Sequence, residues 1–270
     1  MAVITISRGS YSMGKAVAEK VAERLNYSII SRDLLLDASE RYHIPEIKLI
    51  RAIHDAPSIL ERFSHSKQAY LAYIRAALAE KAAGGNLVYH GLAGHIMLRS
   101  VTGVLKVRIT ADLETRVANE MQREHISAEE ARSIIIKDDQ QRRDWTKSVH
   151  GADIVDSNLY DLVIRIHSLS VDDAVDMICR AAESQGFQPT RETMHKLKDY
   201  ALACQIKAEL VEEFPHIGVA SQYGNVVVYS KDKSLPKDKL HKQLKACCEG
   251  LEGVYSLEVH VVDGMPPETV

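Results

Sequence analysis

The run Gly9-Ser10-Tyr11-Ser12-Met13-Gly14-Lys15-Ala16 places two glycines and a lysine at the spacing G-x-x-x-x-G-K and leads into the helical pattern Val17-Ala18-Glu19-Lys20-Val21-Ala22. A loop of this kind turns successive backbone N–H groups toward phosphate oxygens. The positive end of the following helix adds to the field, and Lys15 reaches the outer phosphates. The plainer reading is a glycine-bearing turn between a strand and a helix, with Lys15 in solvent. The loop closes on Ala16, where a hydroxyl commonly ligates Mg²⁺, and a methyl group has no lone pair to offer. Metal binding here must differ or be weak. Ser10, Ser12 and Asp33 are alternative oxygen donors, the sequence does not choose among them, and no side chain is assigned as a metal ligand.

Two further clusters carry chemistry. Ser31-Arg32-Asp33 offers a guanidinium that forks onto phosphate and a carboxylate that orients a sugar, a base or a metal-bound water. The alternative is a helix start, with Ser31 as N-cap and Asp33 in the first turn. His90-Gly91-Leu92-Ala93-Gly94-His95 holds glycines that admit close approach of a ligand or of a neighbouring helix, and histidines whose default role is structural. Downstream stand Arg116, Arg123, Arg132, Lys137, Arg142, Arg143 and Lys147, interleaved with Glu124, Asp138, Asp139 and Asp144. This mixture reads as a solvated helix pair, or as a mobile cationic lid of the kind that neutralises a transferring phosphoryl group and expels water. Its position favours a lid.

The elements that position these clusters follow from periodicity. Short apolar runs at Val3 to Ile6, Tyr27 to Ile30, Leu87 to Tyr89, Val104 to Ile109 and Leu162 to Ile166 read as buried parallel strands. Helical patterns lie between them: Gly14 to Leu25, one long helix or a pair across Leu34 to Ala83, Leu113 to His125, and Ser127 to about Trp145. Such alternation gives an α/β doubly wound five-stranded parallel sheet whose ligands sit beyond the carboxyl ends of the strands, after Ile6, Ile30 and Tyr89. A polar stretch with Gly186 and Pro189 separates domain 1–185 from a small α+β domain, 190–270. That tail reads helix (Met194 to Phe214), strand (Ile217 to Ser221), turn, strand (Val226 to Ser230), helix (Pro236 to Cys248), strand (Val254 to Val262). The chain of 270 residues balances 34 basic against 37 acidic residues, for a net charge of −3, which argues against a general nucleic-acid binder. Cys179, Cys204, Cys247 and Cys248 show no zinc spacing and read as reduced thiols. No apolar run is long enough for a membrane span, and the expected location is cytoplasmic.

The segments ITISRGSYSMGKAVAEKVAERLNYSIISRDLL, LVYHGLAGHIML, the stretch through IKDDQQRRDW, and HGADIVDSNLYDLVIRIHSLSVDDAVDMI together resemble the cytidylate kinase-like branch of the P-loop nucleoside monophosphate kinases, over about Ala2 to Ala182. The resemblance implies a P-loop kinase fold with an Arg-bearing helical lid, ATP with Mg²⁺ on Gly9 to Ala16, and a nucleoside monophosphate acceptor, CMP or dCMP first, in the facing cleft. Lys15 would hold ATP phosphates; Arg32, Asp33 and Gly91 would face the acceptor; Arg123, Arg142 and Arg143 would close over the γ-phosphate. Gly91-Leu92 stands where relatives carry Gly-Arg, which leaves the acceptor's phosphate without its usual arginine. The tail more faintly resembles a BON domain, which implies binding of a small ligand or a membrane surface; the plainer reading is a module that docks a partner protein or a second copy of the chain. A second reading is an ATP-binding sensor that signals through the tail without turnover. Substituting Lys15→Ala removes a charged phosphate contact and is expected to weaken ATP binding by about 1.5 to 3 kcal/mol in a calorimetric titration; unchanged affinity rejects the loop as the ATP site.

Overall fold

The computed structural model describes residues 2–54, 64–234 and 236–270. Strands β1 (Val3–Arg8), β2 (Ser28–Ile30), β3 (Leu87–Tyr89), β4 (Val104–Ala111) and β5 (Leu162–Ile166) form one parallel sheet in the order β2-β3-β1-β4-β5. The helices of this half are α1 (Gly14–Leu25), α2 (Asp33–Arg41), α3 (Glu46–His54), α4 (Ser64–Ala83), α5 (Gly94–Met97), α6 (Leu113–Glu124), α7 (Ala128–His150) and α8 (Val171–Ala182). Side chains alternate along β1. Val3 turns toward α2, α4 and Trp145, while Ile4 and Ile6 turn toward α1 and α8. Helices cover both faces of the sheet over β1, β3 and β4, which is why these strands read as largely apolar runs, while β2 and β5 at the edges keep exposed residues. Val3, Ile4 and Ile6 are all fully buried and each contributes about 1.5 to 3 kcal/mol, more than any single loop hydrogen bond. The core therefore fixes where the loop after β1 begins. All three clusters of chemistry-bearing residues lie at one edge, beyond the carboxyl ends of β1, β2 and β3, as the βα alternation requires.

The tail is built from α9 (Arg191–Leu210), β6 (Gly218–Gln222), β7 (Asn225–Ser230), α10 (Lys237–Cys248) and β8 (Ser256–Val261). The strand order is β6-β7-β8, with β6 antiparallel and β8 parallel to β7. Tyr223 and Gly224, both at positive φ (50° and 74°), close the β6–β7 hairpin in the geometry its twist prefers. The Asp199 carboxylate on α9 fastens that turn, accepting from the backbone N–H groups of Tyr223 at 2.7 Å and Gly224 at 2.9 Å. One side of α9, with Leu202, Ile206 and Leu210, covers the small sheet. Its other side sets Ala201, Cys204 and Ala208 against Ala69, Ala72, Ala76 and Ala79 of α4. Leu197 joins the core beneath the large sheet, and the Tyr200 hydroxyl donates to the Met97 carbonyl at the end of α5.

Several expectations shift in detail. The helical span from Leu34 to Ala83 is divided into α2, α3 and α4, with His43 at φ 52° and Pro45 between the first two; residues 55–63 of that span lie outside the described residues. Strand β1 runs past Ile6 because Ser7 and Arg8 pair opposite Arg108 and Ile109 of β4, and β4 runs past Ile109 because Thr110 and Ala111 pair opposite Arg165 and Ile166 of β5. Helix α7 continues beyond Trp145 to His150 and stops where Gly151 takes a left-handed conformation. Helix α9 starts before Met194 because Thr190 and Thr193 form a reciprocal N-terminal cap. The short α5 carried no periodic signal. Among the described residues no helix is long and apolar enough to cross a membrane. The seam between α4 and α9 tolerates only small side chains. Ala76→Leu, at a position with no exposure, is expected to overpack it and to lower unfolding free energy by about 1 to 3 kcal/mol in denaturant titration, with one shared transition for both halves.

Candidate functional site

The loop from Gly9 to Ala16 is tied to the sheet before it reaches solvent. The Gly9 N–H donates to the Ile109 carbonyl at 3.0 Å, and the buried Ser12 hydroxyl lies 2.9 Å from the Gly9 carbonyl and 3.0 Å from that of Ile109. The glycines do not supply the bend. Tyr11 and Met13 take φ of 60° and 62°, a left-handed conformation that costs a non-glycine residue on the order of 1 kcal/mol or more. Gly14 serves another purpose: a Cβ there would lie 2.7 Å from the Arg8 Cβ, so its bare backbone is the seat of the Arg8 side chain. Lys15 is exposed and holds only Glu19, at 3.6 Å. Of the alternative oxygen donors, Ser12 is spent inward, Asp33 lies exposed in the first turn of α2, and the buried Ser10 hydroxyl has no partner among the described residues. Ser31 does not cap α2; the N-cap position falls on Arg32, without a side-chain bond.

Helices α6 and α7 form a hairpin that docks on this loop through carboxylates. Asp139 accepts from the Ser10 N–H at 3.2 Å and from Arg116 at 2.6 Å, and Asp138 accepts from the Tyr11 hydroxyl at 3.1 Å. The Arg123 guanidinium lies 4.6 Å above the Tyr11 ring while pairing with Glu120 at 2.7 Å, which places it beside the loop. Arg142 lines the cleft beneath the hairpin. Arg143, its neighbour in sequence, is not in that cleft: it is bound to Asp153 at 3.0 Å on the exposed face. Arg132 faces outward too, clamped on Glu114 at 2.8 and 2.7 Å.

The cleft has a volume of about 330 Å³ and lies between α2, the His90–His95 segment and α7. Leu35, Leu92 and Trp145 give it apolar walls, with Arg8, Arg32 and Arg142 at its mouth. Arg32 is loosely held by Glu46 at 3.8 Å. Gly91 and Gly94 have a structural reason: a Cβ on either would fall 2.3 Å from Tyr89 side-chain atoms, so they make room for a buried ring. The cleft floor is polar. Tyr160 donates to the Ile154 carbonyl at 2.9 Å, so its oxygen must accept the proton shared with His95 Nε2 at 3.1 Å. Burial, then Arg108, hold His95 down to about 3, so it is neutral near pH 7. That tautomer leaves His95 Nδ1 a bare acceptor, buried and without a hydrogen-bond partner among the described residues. The sequence did not point to Arg8, which belongs to no spaced motif, and it gave His95 a structural role without pairing it with Tyr160.

A sequence model of the cytidylate kinase-like family matches residues 3–168. The chain belongs to the cytidylate kinase-like family. It is thereby a P-loop kinase in fold and a phosphotransferase in class. It is 27% identical over 176 residues to a cytidylate kinase of Sulfolobus acidocaldarius, covering 65% of this chain and 91% of that one. It is also 27% identical over 177 residues to a cytidylate kinase of Pyrobaculum aerophilum, covering 65% of this chain and 89% of that one. In structure it is similar, with a TM-score of 0.53 and 22% identity, to an uncharacterized protein from Eubacterium ventriosum, over 68% of this chain and 100% of that one. The tail lies beyond the residues that the family matches. The bend of this family member's loop predicts its own response to mutation. Met13 is two-fifths exposed, so Met13→Gly sacrifices little packing and is expected to raise unfolding free energy by about 0.5 to 1 kcal/mol, whereas Met13→Val lowers it; both are read by denaturant titration.

Proposed function

We propose that the protein transfers the γ-phosphoryl group of ATP to a nucleoside monophosphate, with CMP or dCMP the first acceptor. The observation that carries this reading is the facing arrangement of a phosphate loop and a cation-mouthed cleft under one docked helical hairpin. In the reaction an oxygen of the acceptor's phosphate forms a bond to the γ-phosphorus, the bond from that phosphorus to the β–γ bridging oxygen breaks, and ADP leaves. The attacking oxygen is already ionised near neutral pH, so no side chain need take a proton. Catalysis reduces to alignment and charge neutralisation. The N-terminus of α1 and Lys15 hold the β and γ phosphates, and Arg123 and Arg142 approach from the hairpin.

Mg²⁺ bound to ATP phosphates neutralises part of their charge and is held mainly by those phosphates and water. The donors here fit that loose mode. Ala16 offers none, while the Ser10 hydroxyl is unpaired and Asp138 and Asp139 already lie on the loop.

Asp139 also favours the second reading, an ATP-occupancy sensor, because its carboxylate takes a loop amide that a phosphate would use. ADP release in a coupled assay across nucleoside monophosphates separates the two. Acceptor-dependent ADP, faster with CMP or dCMP than with UMP, is the expected result. ATP binding without acceptor-dependent ADP rejects the kinase reading in favour of the sensor.

A further inference from the structure

Arg8 is the last residue of β1 and comes directly before the phosphate loop. Its side chain crosses the bare backbone of Gly14 and reaches the mouth of the cleft, half-buried. Arg142 enters the same mouth from α7, also half-buried. Among the described residues neither guanidinium has a hydrogen-bond or ion-pair partner. No carboxylate contacts either one: Asp138 also lines the cleft but takes the Tyr11 hydroxyl, Asp139 takes Arg116 and the Ser10 amide, and Glu46 faces Arg32. Two like charges gathered without a direct carboxylate partner repel, and partial burial removes part of the water that would screen them. An anion between them relieves that repulsion. His90 registers the same field, since burial and then Arg8 lower its proton affinity.

We propose that Arg8 and Arg142 together hold the phosphate of the acceptor, a dianionic phosphate monoester; this rests on the phosphotransfer reading above. Placement distinguishes this phosphate from those of ATP. None of Gly9 to Lys15 lines the cleft, whereas Arg8 shares it with Leu35, Leu92 and Trp145, surfaces suited to a base and a sugar. Leu92 offers no charge, and Arg32 stands more exposed at the rim beside Glu46. An anion between Arg8 and Arg142 adjoins the residue that opens the loop, which is where an attacking oxygen must stand. Gly14 is then a positioning residue for the acceptor as well as part of the ATP loop.

The test compares CMP with cytidine on the full chain by calorimetric titration, with emission of Trp145, the single tryptophan and a wall of the cleft, as second readout. Wild type is expected to bind CMP at least tenfold more tightly than cytidine. Arg8→Met and Arg142→Met are each expected to cut that ratio about tenfold or more while cytidine affinity holds, and inorganic phosphate is expected to compete with CMP in wild type only. Arg142→Met, on a surface helix, carries the test if Arg8→Met does not fold. A CMP-to-cytidine ratio unchanged in either folded variant overturns the assignment and leaves the kinase reading standing. Phosphate binding that is lost in the variants, with no binding of CMP or cytidine, supports the anion site and rejects the acceptor reading instead. No binding of CMP or inorganic phosphate by wild type overturns the site.

Discussion

Strand β1 has both backbone edges taken, by β3 on one side and β4 on the other, and its apolar side chains are locked into cores on both faces. The chain can leave it only at its carboxyl end, and there it must turn at once into α1. That confinement sets the geometry of the ligand edge. It puts Ser7 on the cleft floor, Arg8 at the cleft mouth and the Ser10 amide beyond, within four consecutive residues from one rigid strand end. The strained φ values at Tyr11 and Met13 are affordable because the cores on either side supply far more free energy than the bend consumes.

The charge pattern at this edge is lopsided in a useful way. Cations without a direct carboxylate partner, Arg8 and Arg142, collect in the cleft, while Asp138, which also lines it, and Asp139 bond to the loop. The Ser10 amide is held by Asp139, so an anion that took this donor would compete with docking of the hairpin. The Arg116 guanidinium touches both Asp139 and the Ser10 carbonyl.

Much of this was legible in the chain. Buried parallel strands announce themselves as apolar runs: Leu87–Tyr89, buried throughout, matches its expected bounds, and so does the edge strand Leu162–Ile166, although Val163 and Arg165 face solvent. The loop was legible from spacing, yet the roles of its glycines were not: whether a residue bends or makes room depends on a neighbour such as Arg8 that no pattern places beside it. Arg142 and Arg143 looked equivalent as a pair. Successive helical positions point about 100° apart, so only one of them meets the cleft. His95 and Tyr160 lie 65 residues apart and are joined only by the fold.

The alanine seam between α4 and α9 bears on how the molecule is made. Helix α4 ends at Ala83 and its partner does not begin until Arg191. At about 5 to 20 residues per second, a ribosome spends several seconds on the chain between them. Throughout that time the nascent kinase half shows an apolar stripe on α4, and Ala201, Cys204 and Ala208 of the later helix close it.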